Sequence, residues 1–379
     1  MENTIQQFYN GKSVFVTGAS GFMGKVLLEK LLYSCPGLKQ IFILMRAKRG
    51  KSGEQRVEEF STLPLFNRIN QEMPEVLKKI VPVFGELSEP ELGLSVEDLK
   101  QVLSETNIVF HMAATVNFEA TLKRAVGLNL LGTQKVIEMC KKMPKLVSVL
   151  HLSTAFCCCD QDVLEEKVYK WNQDPIELLK IDESMNEAEM EVIKAKLLGV
   201  HPNTYTYTKR IAELLVEKEH GSLPICIARP SIVTPAHSDP LPGWVDNLNG
   251  PIGILVACAK GLFKSMMVNG DLTAEIIPVD LAINGLISIA WDVYKNDDKK
   301  KDILVYNITC SEKWRMNWRH LMIHTIDIVR EYPYENGVWY PCSGITLNPL
   351  YHYTLVFFTQ TIPAYILDSI LLLLGKKRL

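Results

Sequence analysis

Tyr205 and Lys209 stand four residues apart in YTYTKRIAELLVEK, a stretch whose apolar residues recur at helical spacing. That spacing sets both side chains on one face of a helix. A tyrosine phenol ordinarily loses its proton at a pKa of about 10, and a nearby ammonium lowers that value by stabilising the phenolate. The pair is expected to give or take a proton as a carbonyl is reduced or an alcohol oxidised. A second group of hydroxyls, Ser153 and Thr154, ends the apolar run Leu150-His151-Leu152. A hydroxyl at the carboxyl edge of a central strand can donate to a substrate oxygen where negative charge develops. Asn129, in NLLGTQKV, offers an amide to orient a water that resupplies the proton. Taken singly, each is an ordinary buried polar residue, and Tyr-x-x-x-Lys recurs by chance. Their meaning comes from the company they keep.

That company is the turn Val16–Gly24, VTGASGFMG, which follows an apolar strand and opens a helix. Gly18 permits the tight turn, Gly21 lets the backbone approach a pyrophosphate, and Gly24 lets the helix pack close to the sheet. The free N–H groups and dipole of the helix N-terminus then favour phosphate. Thr17, Gly18, Ser20, Gly21, Phe22, Met23 and Gly24 are the candidate dinucleotide contacts. A site for the unphosphorylated dinucleotide usually ends the next strand with an acid on the ribose 2′-OH. Here QIFILM runs into Arg46-Ala47-Lys48-Arg49 with no acid. Cations suit a 2′-phosphate, which arginine binds bidentately; the sequence therefore points to NADPH. A solvated basic turn is the plainer alternative.

Stepping outward from these residues, short apolar runs alternate with helical stretches. Strands are expected at 13–17, 40–45, 81–84, 108–111, 146–152 and 303–308, and helices from Gly24, at 96–104 and at 120–141. A polar helical stretch is expected at 54–80, and an acidic, helical insertion at 160–200. This alternation indicates βαβ units, hence an α/β fold: a Rossmann-like doubly wound parallel sheet. Prolines and glycines then break regular structure between Thr234 and Ile254, in the loops beyond the strand ends where such folds build substrate pockets. The run 296–302 reads as a solvated turn.

The chain has 379 residues, 47% hydrophobic and 22% charged, a composition that excludes disorder, collagen and coiled coil. A net charge of −2 gives no electrostatic footprint for nucleic acid. Nine cysteines, three of them consecutive at 157–159, fit reduced thiols in a cytosol-facing compartment. The polar N-terminus lacks a secretory signal. Mean hydropathy is slightly positive, +0.06, and its source is the nearly continuous apolar stretch 353–374. That stretch suits a membrane span in length, but Gln360, Pro363 and Asp368 interrupt it. A membrane-surface helix and a core helix remain alternatives. His320 and His324 have the helical spacing of two metal ligands, but no third ligand or HExxH pattern accompanies them. No metal site is expected.

The glycine turn, Ser153/Thr154 and Tyr205/Lys209 together resemble the extended short-chain dehydrogenase/reductases. Further motifs resemble the eukaryotic fatty acyl-CoA reductases: His111-Met-Ala113-Ala114-Thr-Val-Asn-Phe118, Arg229-Pro230-Ser231-Ile232-Val233, Pro242-Gly243-Trp244-Val245-Asp246-Asn247 and Ile277-Pro278-Val279-Asp280. Val305-Tyr306-Asn307 and the closing Ile362-Pro363-Ala364-Tyr365-Ile366-Leu367-Asp368 extend the likeness from Gly11 to Lys377. The resemblance implies reduction of a long-chain acyl-CoA to a primary alcohol with two NADPH, through an aldehyde, as in lipid and wax biosynthesis. Tyr205 would protonate the nascent alkoxide, Lys209 would lower its pKa and hold the nicotinamide ribose, and Thr154, rather than Ser153, would bond the carbonyl oxygen. Arg46 would take the 2′-phosphate, Ala113 and Ala114 would lie against the cofactor, and Pro230 and Ile232 would flank the nicotinamide. One departure stands at Gly85-Glu86, where the family usually has Gly-Asp.

The likeness also implies a reductase domain over 11–345, with a substrate-binding region near 234–300. The opening of a helical C-terminal domain is expected at 346–379, apparently truncated. It places the protein on a cytosol-facing peroxisomal or endoplasmic reticulum membrane, with contact through 353–374. The acyl chain would lie along 243–267 or 160–200. Two other readings share the motifs: an extended reductase acting on a steroid or nucleotide sugar, and a catalytically silent, membrane-associated NADP-binding protein.

Overall fold

A computed structural model describes residues 4–46, 52–296, 302–335 and 337–377. Short apolar runs form β1 (Ser13–Thr17), β2 (Gln40–Met45), β3 (Ile80–Phe84), β4 (Thr106–His111), β5 (Ser148–Leu152) and β6 (Ile225–Pro230), with an edge strand at Val305–Ile308. All pair in parallel, in the order edge strand, β6, β5, β4, β1, β2, β3. The order reverses at β1, which opens a crevice beyond the carboxyl ends of β1 and β4, where folds of this kind bind their ligands.

The strands are apolar on both faces because helices cover both. Val14, Val16, Ile41, Ile43 and Leu150 pack on one face with the helices Phe22–Ser34 and Val279–Asn296. Phe15, Phe42, Val109, Val149 and Ile227 point to the other, where Ile137, Ile211 and Leu215 meet them. Successive side chains of one strand thus feed two cores.

Three helical stretches differ from the sequence expectation. The run 54–80 is broken into Gly53–Ser61 and Asn67–Glu72 by 3-10 turns at Pro64–Phe66 and Pro74–Lys79, each beginning with a proline. Proline fits a first turn but cannot continue a helix. In 160–200 the helices are Pro175–Ser184, capped by Asp174, and Glu187–Leu198, capped by Asn186. The stretch 120–141 is helical but widens into a π turn at Val126–Leu131, which contains Asn129. Most of the expected turn at 296–302 lies outside the described residues.

Two compact units divide the chain: Met1–Val245 with Ile277–Thr309, and Asp246–Ile276 with Cys310–Leu379. The division falls elsewhere than the expected boundary at 345. Val279–Asn296 joins the first unit because Val279, Ile283, Leu286 and Ala290 are fully buried in its core. In the second unit Gly344–Thr346 pairs in parallel with Ser265–Met267, and Met316–Asn317 pairs with Thr273–Ala274. Those pairings join segments on both sides of the 277–309 excursion. The second unit also carries the 25-residue helix Pro349–Leu373, the one helix among the described residues long and apolar enough to cross a membrane; none of its apolar window is buried.

The helix Thr204–Glu219, capped by Asn203, carries charged residues into the first unit's core. Glu213 meets Arg229 of β6 in a bidentate pair, Nε–Oε1 at 2.8 Å and Nη2–Oε2 at 2.6 Å, with side chains 1% and 0% exposed. Arg229 also donates to the carbonyls of Glu165 and Lys167. Removing one partner of such a pair leaves an uncompensated buried charge. Glu213→Gln is expected to cost about 3–5 kcal/mol of stability, measured by chemical denaturation; an unchanged midpoint would show that the pair does not hold the helix.

Candidate active site

β1 runs straight into the glycine turn. Gly18 adopts φ +79°, and a Cβ there would lie 2.8 Å from the Ala113 nitrogen just beyond β4. At Gly24 a Cβ would meet the Gly18 oxygen at 2.3 Å. These two positions admit only glycine, and they bring the turn, the helix and the β4 exit together. Ser20 and Gly21 are exposed at the tip. Gly21 caps Phe22–Ser34 without any side-chain hydrogen bond or first-turn acid, so the helix N-terminus presents bare N–H groups, as a pyrophosphate requires. A dinucleotide fits this cradle. Phe22 stacks on Trp244 at 5.5 Å between centroids, and Met23 packs against the core beneath.

A directional hydrogen-bond chain ties the turn to the end of β4 and to the π turn at Val126–Leu131. The Ala113 N–H donates to the Thr17 hydroxyl (3.2 Å), which lies 2.8 Å from Nδ1 of His111. His111 Nε2 lies 3.0 Å from the Thr133 hydroxyl, which itself donates to the Asn129 carbonyl. With both hydroxyl protons so assigned, His111 is neutral and carries its proton on Nε2. Burial, aided by the Lys209 cation, pushes its pKa down to about 3. Asn129 is bonded at both ends of its amide: Oδ1 accepts from the Thr115 N–H at 2.8 Å, and Nδ2 donates to the Thr208 hydroxyl at 2.9 Å and to the Thr115 carbonyl. Its side chain thus braces the loop after β4 against the helix Thr204–Glu219, where the sequence suggested an amide free to orient water.

At the start of that helix the Tyr205 phenol lies beside the Thr154 hydroxyl. Phe118 lies beside its ring, with centroids 5.8 Å apart. The structure brings Thr154 and Tyr205 together and turns Ser153 away: the Ser153 hydroxyl points to the Cys157 thiol, which donates to Glu213 at 3.2 Å. Lys209 is buried and donates to the Leu152 carbonyl at the end of β5. The expected lowering of the Tyr205 pKa is not found. Burial pushes it up to about 12, Cys157 adds to the rise, and Thr154 opposes it. The Lys209 ammonium is engaged with a backbone carbonyl. Burial lowers its own pKa to about 8, against the attraction of Glu213. At neutral pH the phenol therefore keeps its proton and the lysine keeps its charge.

The remaining candidates lie around this centre. The Pro230 carbonyl accepts the Ala155 N–H at 2.9 Å, which fixes the loop carrying Thr154 to the end of β6. Ile232 is half-buried just beyond, as are Ala113 and Ala114 past β4. Arg46, at the end of β2, pairs with Glu86, Nε–Oε2 at 2.7 Å. Ala47, Lys48 and Arg49 lie outside the described residues.

Sequence reasoning missed the role of His111 and of the Glu213–Arg229 pair. Their signals were present: a histidine ending an apolar strand, and an acid one turn beyond Lys209 in line with Tyr205. The thiols of Cys157 and Cys158 and a Glu213 oxygen lie within 4.8 Å of one another, but Arg229 occupies both carboxylate oxygens and its charge opposes a cation there. His320 and His324 have ring centroids 6.5 Å apart, and among the described residues no third ligand joins them.

Known proteins resemble this chain in sequence and in fold. The family model described as male sterility protein matches residues 16–286. Fatty acyl-CoA reductase 1 of Xenopus laevis is 39% identical over 373 residues, which span 98% of this chain and 72% of the relative. Fatty acyl-CoA reductase 1 of Homo sapiens is 37% identical and fatty acyl-CoA reductase 2 of Mus musculus 38%, over the same shares. Among solved structures, the reductase domain of a nonribosomal peptide synthetase from Mycobacterium tuberculosis is similar with a TM-score of 0.63 at 18% identity, covering 94% of this chain and 79% of that one. WbmF of Bordetella bronchiseptica, in complex with NAD+, is similar with a TM-score of 0.54 at 17% identity, covering 89% and 83%. Those two likenesses concern the fold. The chain belongs to the fatty acyl-CoA reductase family and is a nicotinamide-dependent oxidoreductase.

Proposed function

We propose that this protein reduces long-chain fatty acyl-CoA to the primary alcohol with two equivalents of NADPH, through an aldehyde and with release of CoA. The observation that carries the reading is Tyr205 held beside Thr154, at the end of β5, next to a glycine cradle fit for a dinucleotide. The bound cofactor supplies hydride. The chain's own residues handle the oxygen: Thr154 hydrogen-bonds the thioester carbonyl and then the aldehyde carbonyl. In the first reduction Tyr205 gives its proton to form a hemithioacetal, whose C–S bond breaks as the hydroxyl proton passes to the departing CoA thiolate; Tyr205, reprotonated from solvent, gives its proton again as the aldehyde becomes the alcohol. A phenol held near pKa 12 is a donor at any physiological pH. Lys209, one turn on, is buried and charged, and holds the nicotinamide ribose. Asn129 and His111 position the helix and the β4 loop rather than exchange protons with substrate.

Arg46, an arginine where an acid would serve NADH, supports NADPH as the cofactor. The helix Pro251–Ala259 leaves Ile254, Leu255 and Val256 half-buried, apolar surface suited to an acyl chain. The exposed helix Pro349–Leu373 supports association with a membrane, and nine cysteines without a disulfide fit its cytosolic face, peroxisomal or endoplasmic reticulum.

Purified protein given NADPH and palmitoyl-CoA is expected to form hexadecanol, and Tyr205→Phe should lose about 10²–10⁴-fold in kcat while still binding NADPH. Absence of aldehyde and alcohol from folded wild-type protein would refute the reading; full activity in Tyr205→Phe would remove Tyr205 from its role. Because the Lys209 pKa is lowered to about 8, its charge is complete below that value and lost above it. Wild-type kcat should accordingly fall as pH rises through about 8; a profile flat to pH ~10 would show that the lysine's charge is not used. Detergent-free fractionation should find the protein with membranes and its 349–377 deletion in the supernatant; a soluble full chain contradicts membrane association.

A further inference from the structure

The ends of β2 and β3 lie side by side, Met45 in register with Phe84. Arg46 and Glu86 therefore leave the sheet as neighbours. The segment bearing Glu86 is rigidly placed. The Gly85 N–H donates to the Met45 carbonyl at 2.9 Å, and the Glu86 N–H to the Leu92 carbonyl at 2.8 Å. A Cβ at Gly85 would lie 2.1 Å from that Leu92 oxygen. To present the carbonyl, Glu91 and Leu92 adopt φ of +50° and +58°, a left-handed conformation that L-residues with side chains avoid. The fully buried Leu92 side chain anchors the turn. The chain thus accepts local strain at the point that fixes Glu86.

The Glu86 carboxylate uses both oxygens. Oε2 takes Nε of Arg46 at 2.7 Å, while Oε1 takes Nη2 at 3.1 Å and its neighbour's N–H, that of Leu87, at 3.1 Å. Two parallel N–H···O bonds are also how a guanidinium grips a phosphate. One edge of Arg46 cannot serve both partners, and a carboxylate at that edge repels a phosphate dianion.

We propose that Glu86 is a specificity-determining residue that competes, through Arg46, with the 2′-phosphate of the dinucleotide. The proposal rests on the reading of Arg46 as the 2′-phosphate partner. A cofactor with a bare 2′-hydroxyl leaves the pair intact; one with a 2′-phosphate must displace Glu86 from it. Glu86 therefore narrows the preference for NADPH over NADH. Arg46 is 64% exposed and Glu86 34%, so water screens the pair and the effect is moderate.

Titration of NADPH and NADH into the full chain, followed by calorimetry, tests this in wild type, Glu86→Gln, Arg46→Gln and the double variant. Glu86→Gln is expected to tighten NADPH about two- to fivefold and leave NADH unchanged. The gain should vanish in the Arg46→Gln background. Glu86→Asp, a methylene too short to keep both bonds, should also tighten NADPH, by less. Weaker NADPH binding in Glu86→Gln, or equal change for both cofactors, overturns the proposal. If Arg46→Gln weakens NADPH alone and Glu86→Gln changes nothing, only the competition is refuted. If Arg46→Gln leaves the ratio of the two affinities unchanged, the 2′-phosphate reading fails and the proposal with it.

Discussion

Burying Lys209, Arg210 and Glu213 on one helix forces the surrounding chain to supply a partner for each, because an unpaired charge in the interior costs several kcal/mol. Those obligations organise the site. Glu213 takes Arg229 from β6, Arg210 takes Asp160 from the loop after β5, and Lys209 takes the Leu152 carbonyl at the end of β5. The helix is thereby fixed against the carboxyl ends of the strands that carry Thr154 and Pro230. Tyr205, one turn before Lys209, has its position set from below. Its raised pKa follows from the same burial: the arrangement that holds the phenol in place also denies its anion water.

At the other end of the crevice the constraint is steric. Gly18 and Gly24 allow backbones to approach where any side chain would collide, and the chain from Ala113 through Thr17, His111 and Thr133 to Asn129 fastens the cradle to the catalytic helix. A single network of neutral hydrogen bonds therefore joins the dinucleotide turn to Thr208, in the first turns of the Tyr205 helix. It carries no free charge, which suits a buried position between two polar sites.

Much of this is legible in the amino-acid sequence. The doubly wound sheet follows from apolar runs alternating with helical stretches, and the glycine turn, Thr154, Tyr205 and Lys209 stand where their motifs placed them. What failed was reading from pairs alone. A lysine four residues from a tyrosine promises a lowered phenol pKa, but a local pattern cannot reveal that the ammonium binds a carbonyl 57 residues earlier in the chain. Asn129 looked like a free amide because its partners, Thr115 and Thr208, lie 14 and 79 residues away. The boundary near 345 was misplaced for a related reason. Strand pairing between 265–267 and 344–346 is a long-range fact, and periodicity records only local ones.

The central claim, that one site reduces a thioester twice, is tested most directly by isotope. Incubation with palmitoyl-CoA and NADPH carrying deuterium at the transferred position of C4 should yield hexadecanol with two deuterium atoms on C1, together with free CoA. Hexadecanol without deuterium, or free CoA released with unreduced fatty acid as the product, would contradict the account.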